Sequence, residues 1–132
     1  MPKINVNGLE TNYTLDGPDD APALTFVPGQ SFTLETWAGQ VPTFRDRFRV
    51  LTLDLRGHGG TALGSIKEEM TLADLAQDIL GLWNVLGIEK SHYVGKSLGG
   101  MIAYEMALAH ADRLHSVTFV ATQGQMPEGS LE

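Results

Sequence analysis

Short apolar runs alternate along the chain with longer segments in which apolar residues recur every three or four positions. The clearest run is Ala-Leu-Thr-Phe-Val at 23–27, which stops at Pro28-Gly29, as expected for a strand buried on both faces. Asn7-Gly8, between two shorter runs, is typical of a two-residue β-hairpin turn. The pattern predicts strands at 4–6, 11–15, 23–27, 49–54, 91–94 and 116–121.

Three segments have helical spacing. Thr71 resembles an N-cap, and the apolar stripe that follows it stops at Gly87, which predicts a helix between them. A second helix is predicted at 98–111, and a third begins near Glu35, with Pro42 interrupting or restarting it. Strands and helices therefore alternate after the hairpin. This predicts an α/β fold with a mostly parallel sheet of about six strands, an N-terminal antiparallel hairpin, and helices on both faces.

Composition narrows the possible functions. The formal net charge is −7, which argues against a nucleic-acid partner because binding phosphates requires clustered Lys and Arg. The chain has no cysteine, so disulfides and thiolate catalysis are excluded. Its beginning lacks the apolar core of a signal peptide, and no segment approaches about 18 consecutive apolar residues. We therefore expect a cytoplasmic protein with no membrane partner.

The motif that carries chemistry is Gly-Lys-Ser-Leu-Gly at 95–99, which fits G-x-S-x-G between a predicted strand and a predicted helix. Such a turn holds the serine in an unfavourable backbone conformation, which requires small neighbours. It lifts the hydroxyl of Ser97 above the sheet and places the N–H of Leu98 at the helix start, where it can stabilise an oxyanion. We expect Ser97 to be a nucleophile. The alternative is an idle serine in a glycine-rich turn.

The residues Gly-Lys-Ser at 95–97 also resemble the end of a phosphate-binding loop. That loop requires a glycine five positions before its Gly-Lys pair, and the chain has Lys90 there. The preceding segment, 91–94, is strand-like and leaves no room for a loop around a phosphate. Nucleotide binding is therefore the weakest of the functional hypotheses.

With the stretches 37–42, 54–60 and 95–100, the chain resembles α/β-hydrolases of the lactonase and carboxylesterase type, and it is similar to 3-oxoadipate enol-lactone hydrolases. The resemblance implies a truncated form of that fold. Residues 1–124 would be its N-terminal part, and 125–132 a tail that either starts a lid or derives from a cloning vector. It also implies hydrolysis of a small-molecule ester or lactone through an acyl-enzyme, with no metal and no organic cofactor.

The resemblance further implies a second oxyanion donor in the loop after the third strand. Pro28 stands where the family usually has a histidine, and the N–H of Gln30 falls at the donor position, with Ser31 as the alternative. Gly29, Ser31 and Gln123 are expected to line the substrate pocket.

Lys96 stands where the family often has histidine or an apolar residue. It is either a solvated side chain or a desolvated amine that activates Ser97.

A serine nucleophile needs a base, usually a histidine oriented by a carboxylate. The resemblance places both beyond residue 132. Three of the four histidines, His92, His110 and His115, fall at the end of the predicted sheet away from Ser97. His58 is on the same side as Ser97, in a loop where the family carries a similar residue without a catalytic role. We therefore expect the base to come from outside these residues.

The last predicted strand, 116–121, would be interior in the family, paired on its far side with a further strand. If the chain ends here, its edge is an exposed apolar ladder that invites pairing with another chain. We expect a homo-oligomer, or a complex with a complementing chain through this edge, rather than a monomer. The alternative to an enzyme is a catalytically incomplete half-domain with a structural or self-association role. Asp54, at the end of its strand, is expected to organise a loop.

Overall fold

The computed structural model describes residues 2–63 and 70–122, which form one six-stranded sheet with helices against both faces. The strands are β1 (Lys3–Val6), β2 (Leu9–Asp16), β3 (Ala23–Val27), β4 (Arg49–Leu53), β5 (Ser91–Lys96) and β6 (Leu114–Val120). The helices of this part are α1 (Val41–Phe44), α2 (Leu72–Leu86) and α3 (Leu98–Ala109), with 3-10 helices at Leu34–Trp37 and Ala111–Arg113.

The strand order is β1-β2-β4-β3-β5-β6. β1 pairs with β2, and β2 with β4, in antiparallel fashion. The pairs β3–β4, β3–β5 and β5–β6 are parallel. The predicted α/β class, with a mostly parallel sheet behind an antiparallel hairpin, is confirmed. The carboxyl ends of β3, β4 and β5 therefore meet at one edge of the sheet, where α/β folds place their chemistry.

The hairpin turn has the residues that its geometry demands. Asn7 and Gly8 both have positive φ, 51° and 87°, as a type I′ turn requires. The side-chain oxygen of Asn5 accepts a hydrogen bond from the N–H of Gly8 at 2.9 Å. This turn fixes the register of β1 on β2, and hence which face of the hairpin points to the core.

Both faces of the sheet are packed. On one face lies the larger core, which α2 and α3 supply with Ile79, Trp83, Ile102 and Met106, all with 0% exposure. On the other face Phe26 of β3 packs against the ring of Trp37 with centroids 4.8 Å apart, and Phe44 of α1 joins them. Burying each large side chain contributes roughly 1.5–3 kcal/mol to folding.

The helix predictions hold at α2 and need correction elsewhere. Thr71 and Asp74 form a capping box, and Gly87 ends α2 with φ 74°. The helix predicted to begin near Glu35, with Pro42 interrupting or restarting it, is a 3-10 helix followed by the four-residue α1. Pro42 lies in the first turn of α1, where its missing N–H costs no helical hydrogen bond. The helix predicted at 98–111 ends at Ala109.

β6 lies at the edge of the sheet and runs over Leu114–Val120 rather than 116–121. Ser91 pairs with Leu114 while His92 pairs with Ser116, so His115 is an extra residue in a bulge. Toward its carboxyl end, Phe119 is 40% exposed and Val120 37% exposed. Gln123, which was expected to line the substrate pocket, and the tail at 125–132 lie outside the described residues.

Candidate active site

Ser97 is the single residue between the end of β5 and the start of α3. Its backbone has φ 51° and ψ −112°, a conformation that glycine adopts readily and that other residues adopt at a cost of about 1–3 kcal/mol. Its side chain is exposed at the carboxyl edge of the sheet. β5 extends to Lys96, two residues beyond the predicted strand, so the backbone before Ser97 is paired in the sheet and does not wrap a phosphate.

The glycines of the motif are needed because backbone lies directly against them. A Cβ on Gly95 would lie 2.5 Å from the carbonyl oxygen of Gly99. A Cβ on Gly99 would overlap the carbonyl oxygen of Val27 and lie 2.9 Å from that of Pro28. These contacts bring the first turn of α3 onto the end of β3. The G-x-S-x-G spacing thus follows from close approach of three backbone segments.

Both backbone polar groups of Ser97 are held by the edge strand and the residues that follow it. Its N–H donates to the carbonyl of Val120 at 2.9 Å, and its carbonyl accepts from the hydroxyl of Thr122 at 2.7 Å. The N–H of Met101 donates to the same carbonyl at 3.0 Å, which starts the helical hydrogen bonding of α3. The strained conformation is therefore fixed from both sides.

Tyr93 supports the elbow from beneath. Its side chain is completely buried on the α3 side of the sheet, and its hydroxyl donates to the carbonyl of Gly99 at 2.7 Å. Burial raises the pKa of Tyr93 well above its ordinary value, so the hydroxyl stays protonated and remains a donor. The position of Tyr93 beneath the elbow could have been found in the sequence, because Tyr93 and Gly95 are two residues apart in one strand and so lie on the same face.

The predicted oxyanion loop lies beside Ser97. A Cβ on Gly29 would lie 3.3 Å from the Cβ of Ser97, so the backbones of the two segments are nearly in contact. The N–H of Phe32 donates to the carbonyl of Gly29 at 3.2 Å, which closes a turn with φ 68° at Ser31. Within the described residues, the N–H of Gln30 has no hydrogen-bond acceptor in the chain. Its role as an oxyanion donor, like that of Leu98, stays a prediction.

Asp54 organises the loops around the site, as expected. This carboxylate is only 2% exposed, and it accepts from the N–H of Leu34 at 2.7 Å, from the N–H of Gly60 at 2.8 Å and from the side-chain amide of Asn12 at 2.9 Å. A pocket of 220 Å³ lies beside these groups. Because Leu34 begins the 3-10 helix that follows the oxyanion loop, Asp54 ties that loop to β4.

The neighbouring loop is tied to α2. The guanidinium of Arg56 forms a two-pronged hydrogen bond with the carboxylate of Asp78, at 2.9 and 2.8 Å. This bond raises the pKa of Arg56 above its ordinary value. His58 in the same loop has its Nδ1 3.0 Å from the carbonyl of Arg56.

The other histidines lie at the far end of the sheet. The Nδ1 of His92 is 2.7 Å from the hydroxyl of Ser116, and its ring lies against that of His115, tilted by 35° with centroids 5.0 Å apart. Burial lowers the pKa of His92, and the nearby His115 lowers it further. In the part of the chain that the structure describes, no histidine is hydrogen-bonded to the hydroxyl of Ser97.

Lys96, the partly buried neighbour of Ser97, extends to the ring of Phe32. Its ammonium nitrogen lies 5.3 Å from the centroid of the Phe32 ring, across the oxyanion loop. Sequence reasoning singled out Lys96 but missed Phe32, because nothing local in the sequence indicates that the two meet. Over residues 2–63 and 70–122, no group of three or more acidic or histidine side chains could hold a metal ion. No helix there is long and apolar enough to cross a membrane.

A strained serine between a parallel strand and a helix, with glycines packed against backbone, defines an α/β protein with a nucleophile elbow. Comparison with known proteins agrees with this class. Residues 22–132 match the family model described as alpha/beta hydrolase fold. The chain therefore belongs to the α/β-hydrolase fold family, and the sequence resemblance is confirmed at this level.

Individual relatives are hydrolases. The chain is 34% identical over 114 residues to 3-oxoadipate enol-lactonase 1 of Acinetobacter baylyi, covering 86% of this chain and 42% of that protein. It is 36% identical to the pimeloyl-[acyl-carrier protein] methyl ester esterase of Aeromonas hydrophila, covering 80% of this chain and 38% of that one. The enol-lactonase structure from Burkholderia xenovorans superposes with a TM-score of 0.82 at 36% identity, covering 88% of this chain and 45% of that one. The chain thus spans less than half the length of these relatives.

Proposed function

We propose that this chain carries the nucleophile and the oxyanion donors of a hydrolase for carboxylic esters or lactones. The observation that supports this most strongly is the backbone of Ser97, whose strain is maintained by hydrogen bonds and by backbone contacts at Gly95 and Gly99. Strain of this kind persists only where the surrounding structure enforces it, and it is concentrated at functional sites. The names of the relatives, an enol-lactonase and a methyl ester esterase, support the substrate class.

The chemistry proceeds through an acyl-enzyme. The hydroxyl oxygen of Ser97 attacks the acyl carbon while a base supplied from outside the described residues takes the proton. The tetrahedral oxyanion accepts hydrogen bonds from the N–H groups of Leu98 and Gln30. Collapse of this intermediate breaks the bond between the acyl carbon and the alkoxy oxygen, which takes up the proton and leaves as the alcohol. In a lactone the same bond breaks and the ring opens, so the alcohol stays attached to the acyl group. Water then attacks the acyl-enzyme by the same route and releases the acid.

Labelling with a neutral fluorophosphonate tests this proposal. Intact-mass measurement should show one phosphonyl adduct on the wild type and none on Ser97→Ala. Ser116→Ala is the matched control, because Ser116 is the described serine whose hydroxyl is hydrogen-bonded to a histidine, 2.7 Å from His92. An adduct that survives in Ser97→Ala, or that is lost in Ser116→Ala, would contradict the assignment.

A second candidate is a catalytically incomplete half-domain that assembles through β6. The edge position of β6 and the exposure of Phe119 and Val120 favour it, because an unpaired apolar strand is a template for pairing with another chain. A wild type that is natively folded by circular dichroism but takes no phosphonate would favour this function over the first.

We propose that the strand added at this edge comes from a second copy of the chain. Light scattering should then give a mass that is a multiple of one chain, and Thr118→Lys on β6 should shift it toward a single chain. Thr43→Lys on α1 is the control for the added charge. A natively folded wild type with the mass of a single chain would refute the assembly. A stable complex that forms only after a separate polypeptide is added would show that the added strand comes from a complementing chain and not from a second copy.

A further inference from the structure

Lys96 is a cation placed beside the nucleophile without an anionic partner in the described part of the chain. It is the last residue of β5, adjacent to Ser97, and it is half-buried. The ion pair found among the described residues is that of Arg56 with Asp78, in a different loop. An ammonium without a carboxylate partner attracts an anion that reaches it, and near a protein surface this attraction is stronger than in bulk water.

Phe32 holds this cation close to the reacting group. The ammonium lies 5.3 Å from the ring centroid, within the range of a cation–π contact. The same ring lies 3.8 Å from the Cβ position of Gly29, which in turn is 3.3 Å from the Cβ of Ser97. Ring, ammonium and nucleophile therefore surround one small region above the oxyanion loop. Since Phe32 is 54% exposed, this region is open to a ligand.

The ammonium also keeps hydrogen-bonding capacity. A lysine has three N–H donors, and a ring face occupies at most one side of the group. The buried carboxylate of the loop network, Asp54, is engaged by the N–H groups of Leu34 and Gly60. In a chain with net charge −7, an isolated cation at the candidate active site is a local exception that favours a negatively charged ligand.

We propose that Lys96, held over Phe32, is a charge-selecting residue that binds a carboxylate on the acyl part of the substrate. The site then prefers monoanionic esters of short dicarboxylic acids over neutral esters of the same length. This inference rests on the proposed function for the location of the acyl group, but the binding preference is measurable without turnover. It differs from the activating role considered from the sequence, because here Lys96 contacts substrate and does not take the proton of Ser97.

The test is an NMR titration of the full ¹⁵N-labelled chain with monomethyl glutarate and, separately, dimethyl glutarate. The anionic ester should bind about tenfold more tightly, equivalent to about 1.4 kcal/mol, with amide shifts concentrated at 29–32 and 96–98. Lys96→Met should reduce the ratio to about one. Lys90→Met, which removes the same charge just before the other end of β5, should leave it unchanged. Raising the salt concentration should weaken the preference.

Each outcome decides the question. Equal binding of the two esters, no detectable binding of either, or a preference that survives Lys96→Met would overturn the inference. Fluorophosphonate labelling of the wild type reports separately on the proposed function. If the chain prefers the anionic ester but is not labelled, the charge-selecting site stands and the assignment of Ser97 as nucleophile fails. If the chain is labelled but shows no preference, the nucleophile stands and the charge-selecting site fails.

Discussion

Replacing Ser97 with glycine should make the fold more stable while removing the hydroxyl that we propose as nucleophile. Ser97 occupies φ 51° and ψ −112°, where the Cβ of any L-residue crowds its own backbone. Glycine has no Cβ and visits this region freely. Since the serine hydroxyl is exposed and has no hydrogen-bond partner in the described part of the chain, removing it should cost little stability by itself.

The expected magnitude follows from two opposing terms. Relief of the strained conformation contributes about 1–3 kcal/mol. The greater freedom of glycine in the unfolded chain costs about 0.5–1 kcal/mol. Ser97→Gly should therefore raise the free energy of unfolding by about 1 kcal/mol. Ser97→Ala keeps the Cβ and the strain, so it should stay within about 0.5 kcal/mol of the wild type.

Urea denaturation, followed by circular dichroism and by the fluorescence of the buried Trp83, measures both variants. Ala107→Gly in the regular part of α3 is the matched control, and it should destabilise by about 1 kcal/mol because glycine there only adds entropy to the unfolded chain. The two glycine variants thus have opposite signs. If Ser97→Gly proved less stable than Ser97→Ala, the backbone at the elbow would not be strained and the reasoning would fail.

Three further predictions concern the surroundings of the site. Gly99→Ala forces a methyl group against the carbonyl of Val27 and should lower the free energy of unfolding by about 3 kcal/mol, measured by urea denaturation. Gly39→Ala is the control: its position has open space around it, and the change should be less than about 1 kcal/mol. Asp54→Asn puts an amide N–H where the backbone donors of Leu34 and Gly60 point, and it should lower the free energy of unfolding by about 2 kcal/mol in the same assay. An unchanged stability would mean that the loops keep their positions without this carboxylate. The pKa of His92 is lowered from 6.5, so the contribution of this residue to the free energy of unfolding is complete above that pH and declines as the pH falls below it. His92→Gln should make stability fall less steeply with decreasing pH. An unchanged pH dependence would assign the fall in stability to other groups.

The sequence was sufficient for the elements whose signals are local. The Asn7-Gly8 turn, the strand at 23–27, the Thr71 cap and the Gly87 stop all appear in the structure, because each depends on a backbone conformation that one or two residues determine. The segment expected to be helical from near Glu35, with a break or restart at Pro42, forms a 3-10 helix and then a short α-helix. Its apolar spacing reflects contact with Phe26 and its neighbours on the sheet, which a 3-10 turn and a short helix satisfy equally well.

For the candidate site, the sequence located the elbow but not what holds it. The glycines at 95 and 99 are visible as a motif, whereas Thr122 and the carbonyl of Val120 contact Ser97 only through tertiary structure. The pairing of Lys96 with Phe32 spans 64 positions along the chain and has no local signal. Residues that act through long-range contact are thus the ones that periodicity and motifs cannot supply.

The hydrogen bonds that join Ser97 to Val120 and Thr122 have a consequence for motion. They attach Ser97 to β6 and the residues just after it, and β6 is an edge strand of the described sheet, where local opening is expected first. Amide protons of β6 and of Ser97 should then exchange with solvent in a single cooperative event. The ordering of Ser97 can be no more durable than the pairing of that strand, and whatever covers the edge of β6 also prolongs the lifetime of the strained conformation.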